Sequence, residues 1–157
     1  MYVHILVKLQ IALKTNKFSS PKHKAALNLL YTAWWLKTMI SKELKTAGLT
    51  NEQFNVLRIL KGKYPEAMCV KDIGSRMIEP NSNVPRIADR LVSKKYVDRS
   101  TSEIDKRETV ITLTNTGLDI LQVANKKVDD LFNNSVFIEE DDAVKLNALF
   151  ENVREKE

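Results

Sequence analysis

From Leu29 onward, apolar side chains return every three or four residues: Leu29, Ala33, Leu36, Ile40, Leu44 and Ala47. That spacing places them on one face of a helix and predicts one over residues 22–47. Leu27, Leu30 and Trp34 form a second stripe, so the helix is apolar on more than one side. Such a helix packs against its own domain and against something else. A second subunit is the economical candidate, and an ordinary internal helix is the alternative. Residues 1–13 are less decided. Val3, Ile5, Val7, Leu9, Ile11 and Leu13 alternate as in a strand, whereas Leu6, Leu9 and Leu13 suit a helix, the reading preferred here.

Gly48 closes the long helix and Thr50 opens the next, with Gln53 three residues on completing a capping box. Phe54, Leu57 and Leu60 face inward, and Gly62 is placed as a stop. "YPEAMCV" reads as a loop with a short extended piece, and "VKDIGSRMI" as a short helix with Val70, Ile73 and Met77 on one face, broken at Glu79-Pro80-Asn81-Ser82. In "SNVPRIADRLVSKK", Val84, Ile87, Ala88, Leu91 and Val92 fall at i, i+3, i+4, i+7 and i+8, while Asn83, Arg86, Arg90, Ser93 and Lys94 take the opposite face. Ser82 can cap this helix, and Pro85 falls in its first turn, where Pro costs little. Arg and Asn on an exposed helix face are the side chains best suited to bidentate base reading. Helix, turn, helix is the order, and "YVDRST" with "ETVITLT" adds a two-stranded hairpin whose tip is Ser102 to Arg107. Thr114 caps a further helix with Leu118, Leu121, Val128 and Phe132 in one stripe, and a last helix begins near Asp141 with Val144, Leu146, Leu149, Phe150 and Val153. The fold expected is mainly α with a small β-wing: a winged helix–turn–helix over about 49–114, between helices over about 1–48 and 115–157 that are long enough to form a dimerisation arm.

Composition narrows the function. Residues 1–63 hold 11 Lys and Arg against 2 Asp and Glu, whereas residues 108–157 hold 5 against 11. A basic front and an acidic tail point to a polyanion partner or to attraction between two copies, set against plain solvated faces. Cys69 is the single cysteine, which excludes an internal disulfide and fits a reducing compartment, so the cytoplasm is expected. No apolar run reaches the roughly 18 residues of a membrane span, and residues 1–13 lack the basic start and cleavage site of a signal peptide. Two His and one Cys supply neither a nucleophile–base pair nor a metal cluster, so no catalytic residue, metal or cofactor is expected.

Three segments, "LTNEQFNVLRIL", "VPRIADRLVSKKYVDR" and "DKRETVITLTNTG", taken in this order and spacing, resemble the multiple-antibiotic-resistance regulator (MarR) family of bacterial transcription factors from about Leu49 to Gly117. The resemblance implies a homodimer built from the N-terminal helix and the two C-terminal helices. It also implies double-stranded DNA as partner, with a recognition helix in the major groove and a wing in the flanking minor groove. By the same mapping Ser82, Asn83, Pro85 and Arg86 fall at the base-facing start of the recognition helix. Arg90 braces that helix, meets phosphate, or pairs with Asp89 or Asp105; Lys94 and Lys95 read as phosphate contacts or solvated residues. Asp105 and Arg107 match the family's wing aspartate and arginine, the acid orienting the base, with Lys106 between them.

Two positions depart from the family pattern. Pro85 stands where Ser or Thr is common and offers only apolar contact, and Glu108 adds negative charge beside the wing. Many relatives hold a small aromatic or phenolic effector between the dimer helices and the winged domain, for which Tyr31, Trp34 and Trp35 are candidates; helix-spaced aromatics in a core are the alternative. Cys69 is read as a buried structural thiol. The rival function is a winged-helix protein-interaction module that has lost DNA binding.

Overall fold

The computed structural model describes residues 8–79, 83–136 and 138–155, so the readings made for residues 1–7 and for Ser82 lie outside the described residues. The first described element, α1 (Leu9–Ala12), is a single helical turn. Helix α2 (Pro21–Thr46) starts where the Ser20 hydroxyl accepts from the His23 amide and Pro21 occupies the first turn. It ends in a reversal in which Gly48 takes φ +70°, its amide donating to Lys45 O and that of Leu49 to Leu44 O. Both leucines are buried, giving this C-terminal cap its apolar clasp.

Helix α3 (Asn51–Lys61) carries the capping box read from the sequence: the Gln53 amide reaches Thr50 Oγ1 at 3.3 Å and the Thr50 amide reaches Gln53 Oε1 at 3.2 Å. Gly62 does stop it, but in the right-handed region at φ −65°. Strand β1 (Met68–Cys69) leads directly into α4 (Val70–Ser75), which ends earlier than the Val70–Ile73–Met77 stripe implied, although Met77 is still buried. Next come α5 (Val84–Ser93), β2 (Val97–Thr101) and β3 (Thr109–Leu113), then α6 (Asn115–Ser135) and α7 (Glu140–Arg154).

The sheet is antiparallel in the order β1-β3-β2, with Met68 opposite Ile111 and Val97 opposite Leu113. Its inner residues meet α3, α4 and α5 in one core, where Leu57, Leu60, Ile73, Leu91 and Ile111 are all but sealed from solvent. Truncating one of these, as in Leu91→Ala, leaves a cavity costing about 2–5 kcal/mol. The order and pairing are those of the winged helix–turn–helix expected.

The outer helices behave differently. Only Leu44 of α2 is buried, and α7 has no buried residue. Leu30 and Trp34 on α2, and Val144, Leu149 and Val153 on α7, stand open. An ion pair between Lys37 and Glu79 ties α2 to the segment before α5, and that carboxylate raises the Lys37 pKa. Asn51 adds to this junction by donating to Lys37 O and to Ser41 Oγ.

Candidate nucleic-acid interface

Helix α5 faces inward through Val84, Ala88 and Leu91, which leaves Pro85, Arg86, Asp89, Arg90 and Ser93 on the outer side. Its N-cap is Asn83, one residue later than the Ser82 cap expected, with Oδ1 accepting from the Arg86 amide at 3.3 Å. Asn83 therefore holds the helix start through its oxygen and leaves its amide NH2 for an outside acceptor. Arg86 and Arg90 lie one turn apart and line a shallow cleft of about 280 Å³ with Thr50, Glu52, Gln53, Asn83 and Ile87. Among the described residues neither guanidinium has an acidic partner. Glu52 puts negative charge into the same cleft; the Thr50 hydroxyl, with its own amide, keeps the Glu52 carboxyl below the ordinary range.

Two partners differ from expectation. Asp89 pairs with Arg99 on β2 at 2.5 Å, not with Arg90, so the brace between helix and wing is an arginine that the sequence did not single out. Lys94 points back into the fold: its Nζ donates to Gly48 O at 2.6 Å and to Gln53 Oε1 at 3.2 Å. The Oε1 of Gln53, a residue only 3% exposed, thus accepts from both Thr50 N and Lys94 Nζ, and the α2–α3 turn is locked to the end of α5. No periodicity rule encodes that contact, because its partners are 46 and 41 residues away.

The wing tip is ordered by its own side chains. Ser102 N donates to Glu108 O and Glu108 N to Asp105 O, each at 2.9 Å. Ser102 Oγ accepts from the Ile104 and Asp105 amides at 3.3 Å, and Asp105 Oδ1 from the Arg107 amide at 2.9 Å. The aspartate thus positions Arg107 through the backbone, while the guanidinium has no acidic partner among the described residues. Asp105, Lys106 and Arg107 are all exposed. Between wing and α5 lies a cleft of about 350 Å³ lined by Cys69, Lys71, Pro85, Arg99 and Glu108. Cys69 sits in the small strand as expected but is only half-buried, and its sulfur caps α4 by accepting from the Asp72 amide at 3.3 Å.

Tyr31, Trp34 and Trp35 line neither cleft. Tyr31 and Trp34 rest against each other with ring centroids 5.5 Å apart, and Trp34 is 59% exposed on the outer side of α2. Among the described residues no cluster of His, Cys, Asp and Glu has the makings of a metal site, and no helix is long and apolar enough to cross a membrane.

Residues 49–109 match the model of the MarR family. The HTH-type transcriptional regulator SarZ of Staphylococcus epidermidis is 31% identical over 90 residues, which are 57% of this chain and 60% of that protein. The match thus spans less than two thirds of that relative's length. Among solved structures, Sco3205 of Streptomyces coelicolor, a MarR family transcriptional regulator in complex with DNA, aligns with a TM-score of 0.74 at 17% identity, covering 87% of this chain and 88% of its own. The organohalide-sensing regulator RdhR-CbdbA1625, in its 2,4-dichlorophenol bound form, aligns with a TM-score of 0.76 at 17% identity, covering 98% of this chain and 88% of its own. At such identities the likeness to the solved structures concerns the fold.

Proposed function

We propose that this chain is a MarR-type regulator: a sequence-specific, DNA-binding transcriptional regulator acting as a homodimer on a pseudo-palindromic operator. The observation that carries the reading is two exposed arginine sites on one winged domain, none in an ion pair among the described residues: Arg86 with Arg90 on the outer face of α5, beside Glu52, and Arg107 on the wing. Arginine left without an acid on an exposed helix suits bidentate contact with guanine O6 and N7. Arginine on a rigid hairpin suits a narrow A·T-rich minor groove, where negative potential is concentrated.

Within this reading Arg86 reads bases, Asn83 offers its amide beside it, and Pro85 gives apolar contact to a thymine methyl. Arg90 and Lys106 meet phosphate, and Arg107, set by Asp105, enters the minor groove. Ser82, outside the described residues, is proposed for DNA contact on the resemblance alone. Lys94 is a brace, given its two internal acceptors. Paired recognition helices in a two-fold dimer reach major grooves about 34–36 Å apart, hence the pseudo-palindrome. A small aromatic or phenolic effector beside Tyr31, Trp34 and Trp35 would alter that spacing and release the DNA. The place of action is the cytoplasm, with the DNA.

Selection of sites from a random DNA pool tests the proposal, with wild type compared against Arg86→Ala and Arg107→Ala across a salt series. The expected result is a palindromic motif, blurred within its half-sites by Arg86→Ala at a cost of about 1–3 kcal/mol, and stripped of flanking A·T preference by Arg107→Ala. If no motif emerges and all three proteins bind equally weakly, the domain is a protein-contact module and the regulator reading fails.

A further inference from the structure

Ile104 stands at the apex of the wing and is 99% exposed, the most open of the large apolar side chains among the described residues. The hairpin does not need it. Ser102 and Asp105 shape the turn through their side chains, and the Ile104 contribution is an amide that any residue but proline supplies. Isoleucine is a strand former rather than a turn residue, and here it packs on nothing within the chain.

Its surroundings narrow the partner. Glu103, Asp105, Lys106, Arg107 and Glu108 leave the tip with three acids against two bases, so net charge does not draw it to phosphate. Arg107 is three residues from Ile104 in the same closed turn. A B-DNA minor groove is only about 6 Å wide. A tip docked there through Arg107 would hold Ile104 near the deoxyribose walls, where an uncharged side chain is the one that gains by leaving water.

Resting on the regulator reading above, we propose that Ile104 is a second wing contact: an apolar wedge that enters the flanking minor groove and partly unstacks a flexible pyrimidine–purine step. Apolar side chains, isoleucine included, act this way in minor-groove binders, and TA and CA steps yield most easily. The wing then selects its flank for deformability as well as for width. An exposed side chain at a tip is also the safest to replace, because no core contact is lost.

The test uses the full chain and the operator duplex from the pool selection, made in two versions: one with a TA step in the flank and one with a stiff A-tract. Affinities of wild type, Ile104→Ser, Ile104→Leu and Arg107→Ala are measured over a salt series. Fluorescence of 2-aminopurine at the step reports unstacking. Ile104→Ser is expected to lose about tenfold on the TA flank, to lose little on the A-tract, and to keep the wild-type salt slope, since no phosphate contact goes. Arg107→Ala instead lowers the slope by about one. Ile104→Leu restores both affinity and the fluorescence rise. Equal affinity of Ile104→Ser and wild type on both flanks overturns the wedge while leaving the regulator reading intact. A wild type that binds no duplex at all overturns that reading first, a distinct result.

Discussion

Lys94 and Lys95 are neighbours in the chain and similar in the sequence, yet the fold gives them opposite work. Lys94 spends its ammonium on Gly48 O and Gln53 Oε1. Lys95 is exposed and holds the left-handed backbone that closes α5, at φ 60°, with its amide donating to Val92 O and that of Tyr96 to Leu91 O. Glycine usually takes such a position, and a residue with a Cβ pays about 1–2 kcal/mol to stand there. Lys94→Ala is therefore expected to lower stability by about 1 kcal/mol in urea unfolding, and to leave the salt slope of DNA binding unchanged. If Lys95 is the phosphate contact of the pair, Lys95→Gly is expected to do the reverse, gaining up to about 1 kcal/mol of stability while the slope falls by about one. If both variants behave alike in both assays, the division of labour is wrong. Sequence alone left the two lysines equivalent, because what separates them is a set of acceptors brought in by α2 and α3. The same limit applies to Asp89: its neighbour Arg90 was the nearer candidate, but the pleat of β2 presents Arg99 instead.

The junction of wing and α6 shows an element whose packing was written locally. Thr114 caps α6 by accepting from the Gly117 amide at 2.9 Å, and its hydroxyl lies 2.9 and 3.0 Å from Lys95 O and Tyr96 O. Gly117 then passes so close to the chain that a Cβ there would sit 2.0 Å from Tyr96 O and 2.8 Å from a Leu113 methyl. The Leu-Thr-x-x-Gly run is thus a physical requirement: a capping hydroxyl, and then a bare Cα where helix meets carbonyl. Gly117→Ala is expected to destabilise the chain by about 1–3 kcal/mol or more despite its better helix propensity. Thermal unfolding checks this, and a neutral or stabilising result would show that α6 can shift outward at little cost. Elements with their own caps, α3 and α6 among them, were readable for this reason. The start of α5 was readable only to within a residue, since Ser82 and Asn83 are both good capping types and only the geometry places the cap on Asn83. The end of α4 was misread because the buried Met77 continues the helical spacing after the helix has stopped.

At the scale of the whole molecule, one core joins the winged region to Leu44 of α2 and to Leu121, Ala124 and Val128 of α6, while the other faces of the outer helices stay open. Leu30 and Trp34 on α2, Val123 and Phe132 on α6, and Val144, Leu149 and Val153 on α7 are exposed. So many open apolar side chains on the three outer helices exceed what scattered surface residues explain. In the homodimer proposed above, a second copy would complete them with an isologous contact. The charge distribution is favourable as well, since the basic first 63 residues and the acidic last 50 attract one another across two chains. Leu149, 60% exposed, tests the point, because its loss costs the monomer nothing in packing. Leu149→Glu is expected to sediment as a monomer where wild type sediments at twice the chain mass, and to melt at a temperature independent of concentration where the wild-type midpoint rises with concentration. Its DNA affinity should fall with the dimer, each half-site then being bound alone. If wild type is itself a monomer at every concentration, a single recognition helix must suffice, and the operator would show one half-site in place of a palindrome.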